Sequence, residues 1–311
     1  MDIFYSDSYY ADIGEHLFPM DKYRLAREVL LIKGEFGPEH FEEAYPIDDK
    51  DLVRFHTAEY VEKIKNGKLS PEEVEILEMP FFPEMVKSFY YHAGGTLQSA
   101  RKALKDGISC NLGGGFHHAY PDHGEGLCLI NDVGVAAKTL LDEGAVERVL
   151  ILDLDVHQGN GNAFFFKDDP RVMTFSIHCE SIYPDPKEHA GINIGLPDGI
   201  MEDAYMDTLR SYFFTIFDEF LPNLVIYVAG GDVYEGDLIG RMKLSIAGIK
   251  HRDESVFWEA ASRSISIVSV AGGGYARRID DLVTIHANTL RAADHTAAEF
   301  RRRQYFGDKM K

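Results

Sequence analysis

Two aspartates and a histidine in the segment Asp153-Leu154-Asp155-Val156-His157 are side chains well suited to binding a metal ion. They follow the apolar run Val149-Leu150-Ile151-Leu152, which predicts a buried strand of a parallel sheet. Ligands collect at the carboxyl ends of such strands. Because alternate residues of an extended chain share one side, we expect Asp155 and His157 to face a single ion. Taken alone, the segment is better explained as a strand-end turn with a capping aspartate.

Three further predicted strands end in glycines followed by polar side chains. These ends are Gly113-Gly114-Gly115-Phe116-His117-His118 after strand 108–111, Ala229-Gly230-Gly231-Asp232 after strand 224–228, and Ala271-Gly272-Gly273-Gly274-Tyr275 after strand 265–270. Glycines let the backbone approach a ligand closely, although each cluster alone is only a turn signal. Four such ends at one edge of a sheet predict one shared site.

The side chains at these ends predict a catalytic metal centre. Asp155, His157 and Asp232 supply three nitrogen and oxygen ligands and leave a position for water, as in catalytic zinc sites. The two carboxylates also suit Fe²⁺ or Co²⁺.

The other side chains at these ends suit proton transfer. One of His117 and His118 is expected to act as a general base, and Asp153 to fix a tautomer within that pair. Tyr275 is expected to donate a hydrogen bond to a developing oxyanion. In isolation, the histidine pair would be interpreted as a solvated turn and Tyr275 as a surface residue.

Short apolar strands alternate with helical patterns along the chain. This alternation predicts a doubly wound, mostly parallel central sheet flanked by helices, in a single α/β domain over residues 1–311. The predicted strands are 108–111, 149–154, 172–177, 224–228 and 265–270, and helices are predicted near 133–141, 203–220, 252–262 and 280–293. Residues 1–100 are expected to be mostly helical, with prolines at the boundaries.

The amino-acid composition limits the kinds of partner that the protein is expected to bind. Asp and Glu number 51 against 32 Lys and Arg, and a net charge of −19 argues against binding nucleic acid through a basic surface. The three scattered cysteines argue against a disulfide framework. The first residues do not resemble a signal peptide, and no apolar run reaches membrane-spanning length. We therefore expect a cytoplasmic protein without a direct nucleic-acid or membrane partner.

Several motifs, in order along the chain, resemble the histone deacetylase superfamily, which has the arginase/deacetylase fold and includes acetoin-utilisation and acetylpolyamine deacetylase proteins. The resemblance runs from His56-Thr57-Ala58-Glu59-Tyr60-Val61 to Gly273-Gly274-Tyr275. The chain is most similar to the class IV type, through His157-Gln158-Gly159-Asn160-Gly161, Ile182-Tyr183-Pro184, Glu235-Gly236-Asp237, and Leu244-Ser245-Ile246-Ala247-Gly248-Ile249 with the following Arg252-Asp253-Glu254.

The resemblance implies a role for each residue at the site. Asp155, His157 and Asp232 match the zinc ligands, and Tyr275 matches the tyrosine that polarises the amide carbonyl. His118 matches the general base and then acid, and His117, paired with Asp153, its electrostatic neighbour. The implied reaction hydrolyses an acyl-lysine or related acyl-amine to a free amine and a carboxylate.

The resemblance also implies substrate contacts and structural potassium ions. The carbonyl of Gly126 would meet the substrate amide N–H, and Leu127 and Tyr183 would form opposite walls of the channel. One potassium site is implied at Asp153, Asp155, His157, Ser176 and Ile177, and part of a second at Phe166, Asp169 and Val172.

The sequence departs from the pattern of its relatives at three places. Leu127 stands where many relatives have an aromatic residue, which leaves channel width and acyl preference open. Asn160 replaces the aspartate that partners the second histidine in class I relatives, which is expected to lower the pKa of His118; the class IV pattern shares this Asn. Glu78 is only a weak stand-in for the acidic rim residue of class I. His16 and Lys22 lie in a segment that relatives fold near the pocket.

Three other functions compete with an acyl-lysine deacylase. An acetylpolyamine or other small acyl-amine deacetylase would use the same residues. An arginase-type ureohydrolase would bind two manganese ions, yet position 160 is Asn and only Asp232 follows strand 224–228. A silent acyl-amine binding protein would have little use for intact ligands, a histidine pair and Tyr275.

Overall fold

One central sheet organises the structure. This computed structural model describes residues 1–309, and side chains as far as residue 303; Met310 and Lys311, the last two residues of the predicted domain, lie outside the described residues. Within that part, the strands are β1 Asp2–Tyr5, β2 Phe41–Glu43, β3 Ile108–Asn111, β4 Val149–Asp153, β5 Val172–Cys179, β6 Ile192–Leu196, β7 Leu224–Val228 and β8 Ser266–Val270. They form a single sheet in the order β2-β1-β3-β8-β7-β4-β5-β6.

Every pair of neighbouring strands in this sheet is parallel. The predicted doubly wound α/β fold is therefore confirmed, and the sheet is entirely rather than mostly parallel. Parallel sheets need covering on both faces, so their strands are apolar throughout. All residues of β3, β4 and β7 are buried, in keeping with the apolar runs that predicted them.

Helices connect and flank the strands. They are α1 Lys22–Ile32, α2 Asp49–Leu52, α3 Ala58–Lys65, α4 Pro71–Leu77, α5 Pro83–Asp106, α6 Asp132–Asp142, α7 Asn160–Phe166, α8 Glu202–Ser211, α9 Ile246–Ser262 and α10 Ile279–Lys309. The long helix α5 packs against β3, β8 and β1, and α9 packs against α10. In the described part of the chain, no helix combines the length and apolarity required to cross a membrane.

Several predicted boundaries are wrong. The helix predicted over 203–220 is interrupted: α8 ends at Ser211, and a π-helical segment follows at Phe214–Glu219. Helix α9 starts earlier than expected, because the Ser245 hydroxyl accepts a hydrogen bond from the Gly248 N–H and caps it. Strands β1, β2 and β6 were not predicted; they are short, and all three carry partly exposed residues, so no apolar run marks them.

The strand order determines where chemistry can gather. Strands β3, β8, β7 and β4 are consecutive in the sheet. The carboxyl ends of parallel strands lie on the same edge, so the four predicted strand ends meet there.

Candidate active site

Three buried side chains at the ends of β4 and β7 form a group that could hold a metal ion. Asp155, His157 and Asp232 each offer a ligand atom, and these atoms lie within 4.8 Å of one another. Both aspartates are fully buried, and His157 is 8% exposed. Asp155 Oδ1 accepts a hydrogen bond from the His157 backbone N–H at 3.0 Å, which fixes two of the three residues against each other.

The electrostatics of the group fit a cation. Asp232 Oδ2 is buried with no hydrogen-bond partner among the described residues, and it lies 3.4 Å from His157 Nδ1. Burial, together with the negative charge of Asp155, raises the pKa of Asp232 to about 7. A buried carboxylate oxygen without a partner, beside a second carboxylate, is costly unless a positive charge compensates it. The donor set and its orphaned oxygen therefore fit a divalent metal.

The backbone that follows β8 lies directly against Asp155 and Asp232 of this group. The Gly273 N–H donates to Asp155 Oδ2 at 2.7 Å. A Cβ atom at Gly273 would lie 2.1 Å from Asp232 Oδ2 and 2.7 Å from Asp155 Oδ2. Only glycine leaves room for both carboxylates, which explains the glycine cluster after β8.

The two adjacent histidines lie in opposite electrostatic environments. His117 Nδ1 is 2.6 Å from Asp153 Oδ2. Burial lowers the pKa of His117, but the charges of Asp153 and Asp155 outweigh burial and raise it to about 9. His118 Nδ1 is 2.7 Å from Asn160 Oδ1. Burial, and then the charge of His117, holds the pKa of His118 well below its usual range. One ring thus favours the charged form and the other the neutral form, which fits the predicted division of roles.

The turn that carries this histidine pair is held by a buried aspartate that the sequence reasoning did not assign. Asp132 Oδ1 accepts hydrogen bonds from the N–H groups of Gly115 at 3.1 Å and Phe116 at 2.8 Å. The Thr96 hydroxyl donates to Asp132 Oδ2 at 2.6 Å. The sequence feature that could have indicated Asp132 is its position directly after Asn131, because the Asn131 side chain caps α6 by accepting a hydrogen bond from the Gly134 N–H.

Tyr275 lines the same pocket and is only 7% exposed, so it is not a surface residue. Its backbone is held on both sides by the loop after β7. The Tyr275 N–H donates to Asp237 Oδ2 at 2.7 Å, and its carbonyl accepts from the Leu238 N–H at 3.1 Å. The loops that follow β7 and β8 therefore position the tyrosine together.

The pocket has a narrow inner part and a wide mouth. The inner part has a cavity of about 20 Å³, lined by Asp155 and His157, the histidine pair and Tyr275. The predicted substrate residues Gly126, Leu127 and Tyr183 line the mouth, a cavity of about 400 Å³. Leu127 has a φ of 68°, a left-handed conformation that is uncommon outside glycine and marks strain near functional sites. Its N–H donates to the Leu77 carbonyl at 2.9 Å, so the end of α4 holds the strained wall.

The three weaker candidate residues, His16, Glu78 and Lys22, differ in how deeply they are buried. His16 and Glu78 line the mouth, where His16 Nε2 lies 3.2 Å from the Glu78 carbonyl oxygen. Lys22 is fully buried and donates to the Gly272 carbonyl at 2.9 Å. Burial lowers the pKa of Lys22 to about 8, against the opposing charges of Asp232 and Asp155. Lys22 therefore supports the glycine turn that precedes Tyr275.

The residues of the two predicted potassium sites are brought together in two groups. In the register between β4 and β5, Asp153 pairs with Ser176, which Ile177 follows on β5. The Asp155 N–H donates to Asp153 Oδ1 at 3.2 Å, and the His157 N–H donates to Asp155 Oδ1 at 3.0 Å. Phe166, Asp169 and Val172 belong to one turn between α7 and β5, where Asp169 N–H donates to the Phe166 carbonyl and Val172 N–H to the Asp169 carbonyl, both at 3.0 Å. Occupation by potassium stays a prediction.

A buried arginine joins the two strand ends that carry the metal-binding group. Arg252 Nη1 donates to the Leu154 carbonyl at 3.0 Å and to the Gly230 carbonyl at 2.9 Å. Its Nε donates to Asp253 Oδ1 at 2.9 Å, so the charge is paired. Arg252 lies in a recognised motif, but nothing in the sequence indicates that its side chain reaches β4 and β7.

Comparison with known proteins agrees with this geometry. A family model described as the histone deacetylase domain matches residues 16–290. The chain is 38% identical over 279 residues to an uncharacterized protein from Picosynechococcus sp., covering 90% of this chain and 93% of that protein. It is 32% identical over 292 residues to histone deacetylase 2 of Arabidopsis thaliana, covering 89% and 75% of the two chains. It is 27% identical over 300 residues to histone deacetylase RPD3 of Saccharomyces cerevisiae, covering 87% and 67%.

Proposed function

The chain belongs to the histone deacetylase family and is a hydrolase of acyl amides, and we propose that it is a zinc-dependent deacylase of acyl-lysine in proteins or peptides. One observation carries the proposal. Asp155 and His157, the histidine pair and Tyr275 line a single pocket that opens through the channel residues, and the buried Asp232 completes the metal-ligating group with Asp155 and His157. An acetylpolyamine or other small acyl-amine deacetylase would use the same groups, whereas a silent binding protein would have little use for them.

Asp155, His157 and Asp232 would hold the zinc ion. When bound, zinc supplies Lewis-acid chemistry, since it polarises the amide carbonyl and lowers the pKa of a water molecule. The two carboxylates would suit Fe²⁺ as well. Arg252 and Gly273 keep the ligands in place through the hydrogen bonds to the ends of β4 and β7.

His118 moves the proton. Because its Nδ1 is engaged with the Asn160 side chain, Nε2 is the atom that accepts a proton from the attacking water and later gives it to the leaving amine. His117, charged through its pairing with Asp153, stabilises the negative charge that develops nearby.

Tyr275 and the channel residues act on the substrate itself. The Tyr275 hydroxyl donates a hydrogen bond to the oxyanion that forms from the amide carbonyl. The carbonyl of Gly126 accepts the hydrogen bond of the substrate amide N–H, and Leu127 and Tyr183 flank the chain that carries it. Structural potassium at the two predicted groups remains part of the proposal.

The arginase-type ureohydrolase is less well supported. Among the side chains of residues 1–303, one group of three metal-ligating residues is found, whereas an arginase-type ureohydrolase binds two ions. Asn160, which stands where such an enzyme needs a further carboxylate, is already bound to His118.

A substrate panel tests the proposal. Zinc-loaded protein is mixed with acetyl-lysine and longer acyl-lysine peptides, acetylpolyamines and arginine, and the released amine, carboxylate and urea are measured. We expect at least one acyl-lysine peptide to yield the carboxylate and the same peptide with a free lysine side chain, and we expect no urea. Faster cleavage of acetylpolyamines would mean that the substrates are acetylpolyamines and not acyl-lysine peptides. Peptide binding without cleavage of any acyl amide would instead identify a silent binding protein.

A further inference from the structure

We propose that Glu125 is a positioning residue whose carboxylate, acting through Asn160, holds His118 in the orientation and tautomer of a general base. The inference rests on the proposed function, because His118 has a proton to accept only if the chain hydrolyses an amide. Glu125 was not among the residues that the sequence singled out.

A continuous chain of hydrogen bonds links the three residues. Glu125 Oε1 accepts a hydrogen bond from Asn160 Nδ2 at 2.6 Å. On the other side of the amide, Asn160 Oδ1 lies 2.7 Å from His118 Nδ1. Asn160 is 2% exposed and His118 is 4% exposed, so water does not compete for the contact between them. The Glu125 side chain is partly buried, at 19% exposure.

The chemistry of these groups allows only one arrangement of hydrogens. An ionised carboxylate only accepts hydrogen bonds, so the NH₂ group of Asn160 must face Glu125. The carbonyl oxygen of the amide then faces His118, and it too can only accept. His118 Nδ1 must therefore carry the hydrogen, and the lone pair of the neutral ring lies on Nε2. Without the carboxylate, the amide could turn around and present a donor to the ring.

The same carboxylate also anchors a wall of the channel. The Tyr183 hydroxyl donates to Glu125 Oε1, and the Tyr183 ring packs edge-on against the His118 ring with centroids 4.8 Å apart. His123 Nε2 lies 3.3 Å from Glu125 Oε2 and holds the carboxylate from the outer side. One acidic side chain thus fixes both the base and a surface that the substrate contacts.

The arrangement places the negative charge on Glu125, which is separated from the base His118 by the Asn160 side chain. A carboxylate at position 160 would contact His118 directly, but it would also lie beside Glu125 and be repelled by it. The charge and the amide should therefore be exchangeable between positions 125 and 160, provided that both are exchanged together.

Removal of the carboxylate is the first test. In Glu125→Ala, we expect kcat to fall about ten- to a hundredfold, which is the usual cost of losing a residue that orients a side chain of a metal site. Tyr120→Phe is the matched control, because it removes another contact of the Asn160 amide, at 3.3 Å, and leaves the carboxylate in place. Its kcat should stay within about threefold of the wild type.

A charge exchange separates positioning from simple structural support. Asn160→Asp and Glu125→Gln should each lower kcat, because the first sets two carboxylates together and the second frees the amide to turn. In the double variant Glu125→Gln/Asn160→Asp, the new amide donates to the new carboxylate, which accepts from His118 Nδ1. We expect kcat to recover to within about threefold of the wild type. Losses that multiply in the double variant would overturn the proposal.

The tautomer can be observed without turnover. In protein labelled with ¹⁵N-histidine, the His118 signals, identified by their loss in His118→Asn, should show hydrogen on Nδ1 in the wild type and a mixture in Glu125→Gln. Hydrogen on Nε2 in the wild type, or an identical pattern in both proteins, would overturn the inference. If the wild type has the expected tautomer but cleaves no acyl amide, the proposed function fails and the positioning role of Glu125 stands as a structural one.

Discussion

The floor and the mouth of the pocket are built differently. The floor consists of the segments that follow β3, β4, β7 and β8; Asp155 and Asp232 within it are fully buried. The mouth is the outer cavity lined by His16, Leu17, Glu78, Ile182, Tyr183 and Ile239. Leu17 is 45% exposed and Tyr183 is 38% exposed. The floor therefore depends on the sheet and the mouth on loops.

This difference separates two properties of the enzyme. Side chains of the floor are held by backbone and buried polar partners, such as Gly273 for Asp155 and Asp237 for Tyr275. Their geometry determines which reaction occurs. The mouth offers a more apolar and more exposed surface to the substrate, so it determines which substrate enters and how tightly it binds. Substitutions in the floor should change kcat, and substitutions in the mouth should change KM.

The largest effect is expected from Asp232, a proposed metal ligand in the floor. Asp232→Asn keeps the shape of the side chain but removes a negative charge from the metal-binding group. Since the metal contributes several kcal/mol to stabilising the transition state, kcat/KM should fall by on the order of 10³-fold. Bound metal and turnover should fall together. The control Asp207→Asn alters an exposed aspartate of α8 and should retain both; full activity in Asp232→Asn would refute the ligand role.

The next largest effect is expected from Tyr275, which is proposed to act on the oxyanion together with the metal. Tyr275→Phe removes one hydroxyl and should lower kcat by about 10²- to 10³-fold, the usual cost of a lost oxyanion donor. Metal content should be unchanged, because the tyrosine is not a ligand. Tyr45→Phe, at an exposed position, serves as control. An unaltered rate in Tyr275→Phe would show that the hydroxyl does not act on the substrate.

Acid should destabilise the floor through a buried histidine beneath it. His92 Nδ1 accepts a hydrogen bond from the Gly114 N–H at 3.0 Å, and burial lowers the pKa of His92 to about 3. An unfolded histidine has a pKa near 6.5, so the neutral folded form is favoured. Its contribution is complete above pH ~6.5 and is lost as pH falls from there toward about 3.

Chemical denaturation at several pH values measures this contribution. Between pH ~5 and ~6, the slope of unfolding free energy with pH should be smaller in His92→Gln than in the wild type by about 1 kcal/mol per pH unit. The two proteins should have equal slopes between pH ~7 and ~8, where His92 is neutral in both states. Equal slopes in the acidic range would mean that His92 is not held neutral by the fold.

The smallest effect is expected at the mouth. Leu17→Ser removes part of an apolar surface that is already half exposed, so substrate binding should weaken by only about 1 kcal/mol. That corresponds to about a fivefold rise in KM for an acyl-lysine peptide, with little change in kcat. Steady-state kinetics on two peptides of different acyl length would check it. A large fall in kcat at unchanged KM would contradict the separation of floor and mouth.

The floor could be predicted from the sequence because its determinants are local. Strand β4 is an apolar run bounded by glycine-rich turns, and its parallel neighbours follow the same pattern, so the strand ends carrying Asp155 and Asp232 had to meet. Strand β6 was missed because it is only five residues long and its apolar residues alternate with Asn193 and Gly195 instead of forming a continuous apolar run. The departure at Asn160 was visible in the sequence. Burial and the charge of His117 lower the pKa of His118, whereas the hydrogen bond to Asn160 raises it, so the expected effect of Asn160 relative to an aspartate stays a prediction.

The supporting contacts could not be predicted in the same way. Glu125 and Asn160 are 35 residues apart, and Arg252 reaches the Leu154 carbonyl across 98 residues. Such hydrogen bonds depend on how α7 and α9 pack against the strand ends, which no periodicity in the sequence reports. Residues of the mouth, such as Gly126, Leu127 and Tyr183, were indicated by the family resemblance. The strained turn at Leu127 was not predicted, because no pattern in the sequence marks a left-handed conformation at a leucine.

The central claim is that the Asp155-His157-Asp232 group holds one metal ion on which amide hydrolysis depends. It is tested most directly by adding zinc stepwise to metal-free protein while bound metal and acyl-lysine cleavage are measured together. Activity should rise in proportion to bound zinc and stop rising at about one ion per chain. Full activity in the metal-free protein, or activity that appears only with two ions per chain, would contradict the account.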